Sequence, residues 1–170
     1  EGRARNEEVF RTAAELMVQR GYAGTSMGDL AKAVGMTKAG LYHHISSKRD
    51  MLFQILQHAM KGLERTVMEP AKRLSDPEER LREIIRLHVH GLFEHGLEFA
   101  LLFPERRHLE PAQQQVVGQQ IENYLGLIRE ALRELADEGK LRDLEINIAA
   151  RHILQTIAGI ARWYTKDAGV

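Results

Sequence analysis

Apolar residues recur every three or four positions along almost the whole chain, and no segment sustains strand-type alternation. That pattern restricts the chain to an all-α fold. Phe10, Ala13, Ala14 and Met17 mark one stripe on a first helix of about residues 4–20, closed by Gly21, which tolerates a left-handed backbone. Helices follow at about 27–34, with Leu30, Ala31 and Val34 inward, and at about 38–44, joined by a tight turn at Gly35-Met36. A fourth runs from Lys48 to about Met68 on Leu52, Ile55, Leu56, Ala59 and Leu63, and Pro70 with the Ser75-Asp76-Pro77 turn is expected to stop it. Later helices are expected from near Pro77 to about His95, from Pro111 to about Gly139, and over about 143–166. Gly96 is expected to break the pattern before a short apolar piece that stops at Phe103 and Pro104. The last helix is apolar on more than one face, which predicts burial, most simply against a second copy of the chain.

Composition then removes function classes. A chain of 170 residues can bury roughly 70% of its unfolded surface and needs no staples. The absence of cysteine excludes disulfides, thiolate metal sites and cysteine nucleophiles, and fits a reducing cytoplasm. No signal peptide is visible, so a cytoplasmic location is expected. The longest apolar run, Phe99 to Phe103, falls far short of the ~20 residues that span a bilayer, so no membrane partner is expected. The chain opens on Glu1 rather than methionine, which leaves room for an upstream arm. No phosphate-cradling glycine loop and no convincing acid–base pair is present, so neither an enzyme nor a cofactor is expected. His88 and His95 share a helix face and, with His108 or Glu98, are the nearest approach to a zinc site, but no tight ligand spacing supports one and no metal is expected. The formal charge is zero, with 24 basic and 24 acidic residues, which counts mildly against nucleic acid; from Glu1 to Asp50, eight bases face six acids.

The segment from Thr25 to Asp50 carries the chemistry. Ser26 with Asp29, and Ser47 with Asp50, have capping-box spacing. Two short helices joined by a glycine turn and packed on a longer first helix describe a helix-turn-helix. The second presents Thr37, Lys38, Ala39, Gly40, Tyr42, His43 and His44 outward, with Leu41 and Ile45 inward. Lys38 is the first candidate for a base edge, since Lys or Arg on guanine is the commonest specific contact. Ala39 and Gly40 allow close approach, and Thr25, Ser26 and the first amides of the preceding helix can hold a phosphate.

In order and spacing, Thr25-Ser26, Leu30-Ala31, Val34-Gly35-Met36-Thr37-Lys38, Leu41-Tyr42-His43-His44-Ile45 and Ser47-Lys48 resemble the N-terminal signature of TetR-family regulators, over about the first 60 residues. Ile45 replaces the usual phenylalanine, and Arg49 stands where an acid is common, adding positive charge near DNA. The resemblance implies that Tyr42 and Lys48 grip phosphate with His43 beside them. It implies a DNA-binding part over 1–50, a connecting helix at 48–68, and a ligand-binding and dimerisation part over 51–170. More loosely, residues 100–165 resemble the branch that senses acyl-CoA thioesters. On that resemblance Phe93, Phe99, Phe103, Tyr124 and Trp163 would line an acyl tunnel, and Arg106, Arg107 and His108 would meet the phosphates of CoA. Plain core packing is the competing account of each aromatic, and Arg106-Arg107 can instead stand in a solvated loop or pair with Glu105 and Glu110. The expectation is a homodimeric, ligand-responsive repressor, joined through its last two helices and released from a palindromic operator by a small hydrophobic effector. The alternative is a helical small-molecule-binding dimer that has lost DNA binding, against which Lys38, Tyr42 and Lys48 argue.

Overall fold

The computed structural model describes the backbone of residues 2–102 and 104–163, and the side chains of 7–92, 96–102 and 104–160. Among the described residues every regular element is helical. These are α1 (Gly2–Arg20), α2 (Met27–Ala33), α3 (Lys38–Tyr42), α4 (Lys48–Leu63), α5 (Glu69–Ala71), α6 (Pro77–Leu102), α7 (Pro111–Asp137) and α8 (Ile146–Trp163), with a π turn at Glu64–Met68 and a 3-10 turn at Arg106–His108. No described helix is long and apolar enough to cross a membrane.

The chain forms two compact units. One takes in 1–60 and 95–117, the other 61–94 and 118–170. In the first, α2 packs on α1 and α3. Ala13, Ala14 and Met17 from α1, Leu30 and Ala31 from α2, Leu41 from α3, and Met51, Leu52 and Ile55 from α4 are all buried, as the stripes require. Val34 and Phe10 are only half-buried. Gly24 sits where any Cβ would lie 2.3 Å from the Arg20 carbonyl oxygen, so the link from α1 to α2 has room for glycine alone.

Four expected helix boundaries move. Pro70 does not stop the fourth helix. The turn widens, so that the Glu69 N–H reaches Glu64 O five residues back, and the wider π turn makes room for a proline ring that would clash with an α-helical carbonyl. Gly96 does not break α6, because glycine keeps both backbone groups and costs only about 1 kcal/mol against alanine in a helix. The third helix ends at Tyr42, two residues early, and the last begins at Ile146 rather than 143. Asp76 and Pro77 start α6 as a cap and first-turn pair, with Glu79 N–H donating to Asp76 Oδ1 at 2.8 Å.

In the second unit, Ile84 of α6, Leu125, Ile128 and Leu132 of α7, and Ala150, Leu154 and Ile157 of α8 are buried. Arg80 ties α6 to Glu134 of α7 at 2.8 Å, and Glu122 of α7 receives both Arg129 and Arg151. The Schellman ending of α7 has Gly139 at φ 70°, with Lys140 N–H on Leu135 O at 2.9 Å. The last helix is not apolar all round. Asn147, Arg151, His152, Gln155 and Thr156 form an exposed polar face.

One buried polar pair lies inside this unit. His88 Nδ1 and the Tyr124 hydroxyl share a 2.8 Å hydrogen bond, with the rings edge to face at 5.3 Å. Burial pushes the His88 imidazole down to about 4 and the Tyr124 phenol up. Unfolded chains protonate this histidine near its ordinary value of 6.5, whereas the folded chain takes up no proton there until about pH 4. Stability is therefore fully present above pH 6.5 and falls between 6.5 and 4. The expected loss from this group is about 3 kcal/mol. Denaturant unfolding across that range checks it: His88→Gln should flatten the profile, and an unchanged profile would rule the group out.

Candidate nucleic-acid interface

The link between α1 and α2 is built from its own side chains. Gly21 adopts φ 72°, and Thr25 donates its hydroxyl to Gly21 O at 2.9 Å, which leaves that side chain buried. Ser26 caps α2 in a closed capping box. Its Oγ accepts from Asp29 N–H at 3.1 Å, and the Asp29 carboxylate accepts from Ser26 N–H at 3.0 Å and Ser26 O–H at 2.6 Å. The hydrogen bonds from the Ser26 hydroxyl and then its amide hold the Asp29 carboxyl below the usual range. Because Ser26 Oγ takes Asp29 N–H, the first-turn amides of Met27 and Gly28 are the ones that lack an intrahelical acceptor.

The turn into α3 is a Schellman motif. Gly35 has φ 67°, Met36 N–H reaches Ala31 O at 2.8 Å, and Gly35 N–H reaches Lys32 O at 3.3 Å. Thr37 then caps α3 by accepting from Gly40 N–H at 3.0 Å. A Cβ at position 40 would lie 3.0 Å from that same Thr37 Oγ1, so glycine lets the cap close without crowding. Thr37, Lys38, Ala39, His43 and His44 are exposed, Gly40 is half-buried, and Tyr42 is 46% exposed. Leu41 and Ile45 are buried beneath them, as the sequence pattern requires.

The start of α4 completes the face. Ser47 Oγ accepts from Asp50 N–H at 3.0 Å, but the returning arm of the expected box goes elsewhere: Asp50 Oδ2 accepts from both N–H and O–H of Ser46, each at 2.9 Å. Lys48 Nζ donates to Tyr22 O at 2.8 Å and stands 4.3 Å from the Tyr22 ring centre. One of its three donors is thereby used and the others stay available. Arg49 does not add free charge, because it is paired with Glu110.

These pieces meet in an open groove of about 500 Å³, lined by Ala23, Gly24, Thr25, Ser26, Met27, Gly28, Lys38, Tyr42 and Lys48. Thr25, Ser26, Lys38, Tyr42 and Lys48 come from separate stretches of the sequence, and the fold gathers them on one surface. The sequence reading missed the contributions of Tyr22 and Gly24. Two glycines around Tyr22 signal a turn, but the partner of its carbonyl lies 26 positions away and leaves no local mark.

The expected effector residues are less collected. The side chains of Phe93, Phe103 and Trp163 lie outside the described residues, as does that of His95. Phe99 and Tyr124 are buried, Phe99 in the first unit and Tyr124 in the second. Arg106 Nη2 donates to Gln114 O at 3.1 Å, and Arg107 is exposed with its Nε 3.4 Å from His108 Nε2. Neither arginine takes the alternative partners: Glu105 meets His108 at 3.2 Å, and Glu110 meets Arg49. Among the described residues no group of His, Asp and Glu could hold a metal ion.

Comparison with known proteins places this geometry. Residues 9–55 match the family described as bacterial regulatory proteins, tetR family, and residues 74–168 match the tetracyclin repressor-like C-terminal domain. The HTH-type transcriptional repressor KstR2 of Rhodococcus jostii is 26% identical, over 98% of this chain and 82% of its own length. The TetR family regulator PfmR of Thermus thermophilus is 30% identical with a TM-score of 0.87, covering 95% of this chain and 88% of that one. AibR, solved in complex with isovaleryl coenzyme A and operator DNA, is 31% identical with a TM-score of 0.88, covering 98% of this chain and 90% of its own. The regulators of this family are DNA-binding transcription factors and not enzymes. With both family models matched along the chain and a helix-turn-helix face assembled from the expected residues, this protein belongs to the TetR family of transcriptional regulators.

Proposed function

We propose that the chain is a ligand-responsive repressor whose groove between Ser26 and Lys48 grips the phosphate backbone of a palindromic operator. The observation that carries this is the convergence of the α2 N-terminus, Lys38, Tyr42 and Lys48 on one open surface. In this reading Lys48, Tyr42 and the Met27 and Gly28 amides meet phosphate, with Thr25 and Ser26 shaping that end of the groove. His43 lies alongside. Lys38 reads a base edge, while Thr37, Ala39 and Gly40 let the backbone approach the major groove. Residues 1–50 carry DNA binding and 51–170 carry effector binding and dimerisation, joined through α4; the compact unit holding the DNA face also takes in 95–117.

The effector in this reading is small and hydrophobic, with an acyl-CoA thioester the favoured class. Two observations support it. AibR, similar along nearly the whole chain, was solved with isovaleryl coenzyme A. Arg106 keeps a buried Nε–H without a protein acceptor, a costly arrangement that an anionic group would relieve. Phe99, buried in the same unit as Arg106, supplies apolar surface, and Arg107 a second cation. The dimer forms through α7 and α8, where Ile148 of α8 stands 55% exposed. Two copies would present their recognition helices to half-sites about 34–36 Å apart, or a multiple of that spacing.

Three measurements test the reading. Lys48→Ala should weaken binding to DNA from upstream of the protein's own gene and lower the slope of log affinity against log salt by about one. An unchanged slope would sink the phosphate assignment. Calorimetric titration with isovaleryl-CoA and a long-chain acyl-CoA should show binding that Arg106→Ala weakens; no heat with either ends the thioester reading. Sedimentation equilibrium should give twice the chain mass, and a single-chain mass would contradict the dimer.

A further inference from the structure

The segment between α6 and α7 carries a cluster of polar side chains that the DNA face does not use. Its 3-10 turn brings His108 against Tyr22, the two rings stacked at 4.5 Å and 18°. Tyr22 is the residue that holds Lys48, through its carbonyl at 2.8 Å and its ring at 4.3 Å. A second contact comes from Glu110, which pairs with Arg49, the neighbour of Lys48 in sequence. The segment thus meets both Tyr22 and the residue that follows Lys48.

His108 is itself held in place. Glu105 Oε2 lies 3.2 Å from its Nε2, and its backbone N–H donates to Glu105 O at 2.9 Å. The next residue, Leu109, is buried and anchors the turn. The Tyr22 carbonyl is held within its own link by Thr25 N–H at 3.3 Å, while its ring leans on His108 and Lys48. Tyr22 stands in the link between α1 and α2, flanked by Gly21 at φ 72° and by the small residues Ala23 and Gly24. A ring on such a link needs a partner to keep one orientation.

We propose that His108 is a positioning residue for DNA binding: by stacking on Tyr22 it fixes the ring against which the Lys48 ammonium is held ready for phosphate. The proposal rests on the reading of Lys48 as a phosphate contact. Its physical basis is pre-organisation. A lysine already held near its bound position surrenders less rotamer freedom on binding, and releasing one such side chain costs on the order of 3- to 10-fold in affinity. The stack matters here for its shape, so an uncharged ring at position 108 serves as well as imidazole.

The test is a double-mutant cycle read by fluorescence anisotropy, using a duplex that the protein itself selects from random-sequence DNA. His108→Ala should weaken binding by about 3- to 10-fold. His108→Phe should restore it, and His108→Ala should cost little once Lys48 is already alanine. Tyr22→Leu, made separately, should reproduce the loss and serves as the second variant if His108→Ala folds poorly. Original affinity in both His108→Ala and Tyr22→Leu, or a loss of equal size with and without Lys48, overturns the proposal while leaving the phosphate contact standing. Failure of phenylalanine to restore binding overturns it as well. A Lys48→Ala chain that binds like the original overturns the phosphate reading and this inference together.

Discussion

Helices of seven and five residues are too short to persist in water, so the proposed DNA face depends on what closes their ends. Side-chain caps do this at the N-termini, through Ser26 with Asp29 and through Thr37 with Gly40 N–H. A Schellman turn at Gly35 does it between the two helices. Packing supplies the rest, since Leu30, Ala31 and Leu41 are buried against longer neighbours. Each cap contributes about 1 kcal/mol, which is small against a whole fold but large against a five-residue helix. The exposed residues of α3 are positioned because the atoms beneath and beside them are not free to move.

Charge follows the same local logic. The chain is neutral overall, and residues 1–50 hold only a small basic excess. Arg49 is paired with Glu110, Arg20 lies 3.7 Å from Asp29, and Lys48 is held by a carbonyl and a ring. In the proposed reading, affinity for a polyanion rests on a few placed donors, in a groove lined by Lys38, Lys48 and the start of α2, rather than on bulk charge.

Much of this was legible in the residues. The apolar stripes located every long helix, and the Ser26–Asp29 spacing pointed to a capping box that the structure closes in full. The Ser47–Asp50 spacing was equally suggestive, yet the returning carboxylate chose Ser46, because two neighbouring serines offer similar donors and only the local backbone path decides between them. Gly96 and Pro70 misled for a shared reason: local propensity is weak where packing holds a helix, and a π turn absorbs a proline that an α turn rejects. The Tyr22–Lys48 and Tyr22–His108 contacts were not legible, since each joins residues far apart in sequence and neither leaves a periodic trace. The effector residues were the least legible of all. A buried aromatic reads the same whether it lines a tunnel or fills a core.

The central claim is that the groove from Ser26 to Lys48 meets the DNA backbone, and phosphate-ethylation interference tests it most directly. The footprint of the unaltered protein on its selected duplex would be compared with that of Lys48→Ala. The account predicts that interference at one phosphate in each half-site disappears while the remaining phosphates keep theirs. An identical pattern from both proteins, every phosphate still required, would show that Lys48 touches none of them and that the groove is not the DNA-binding surface.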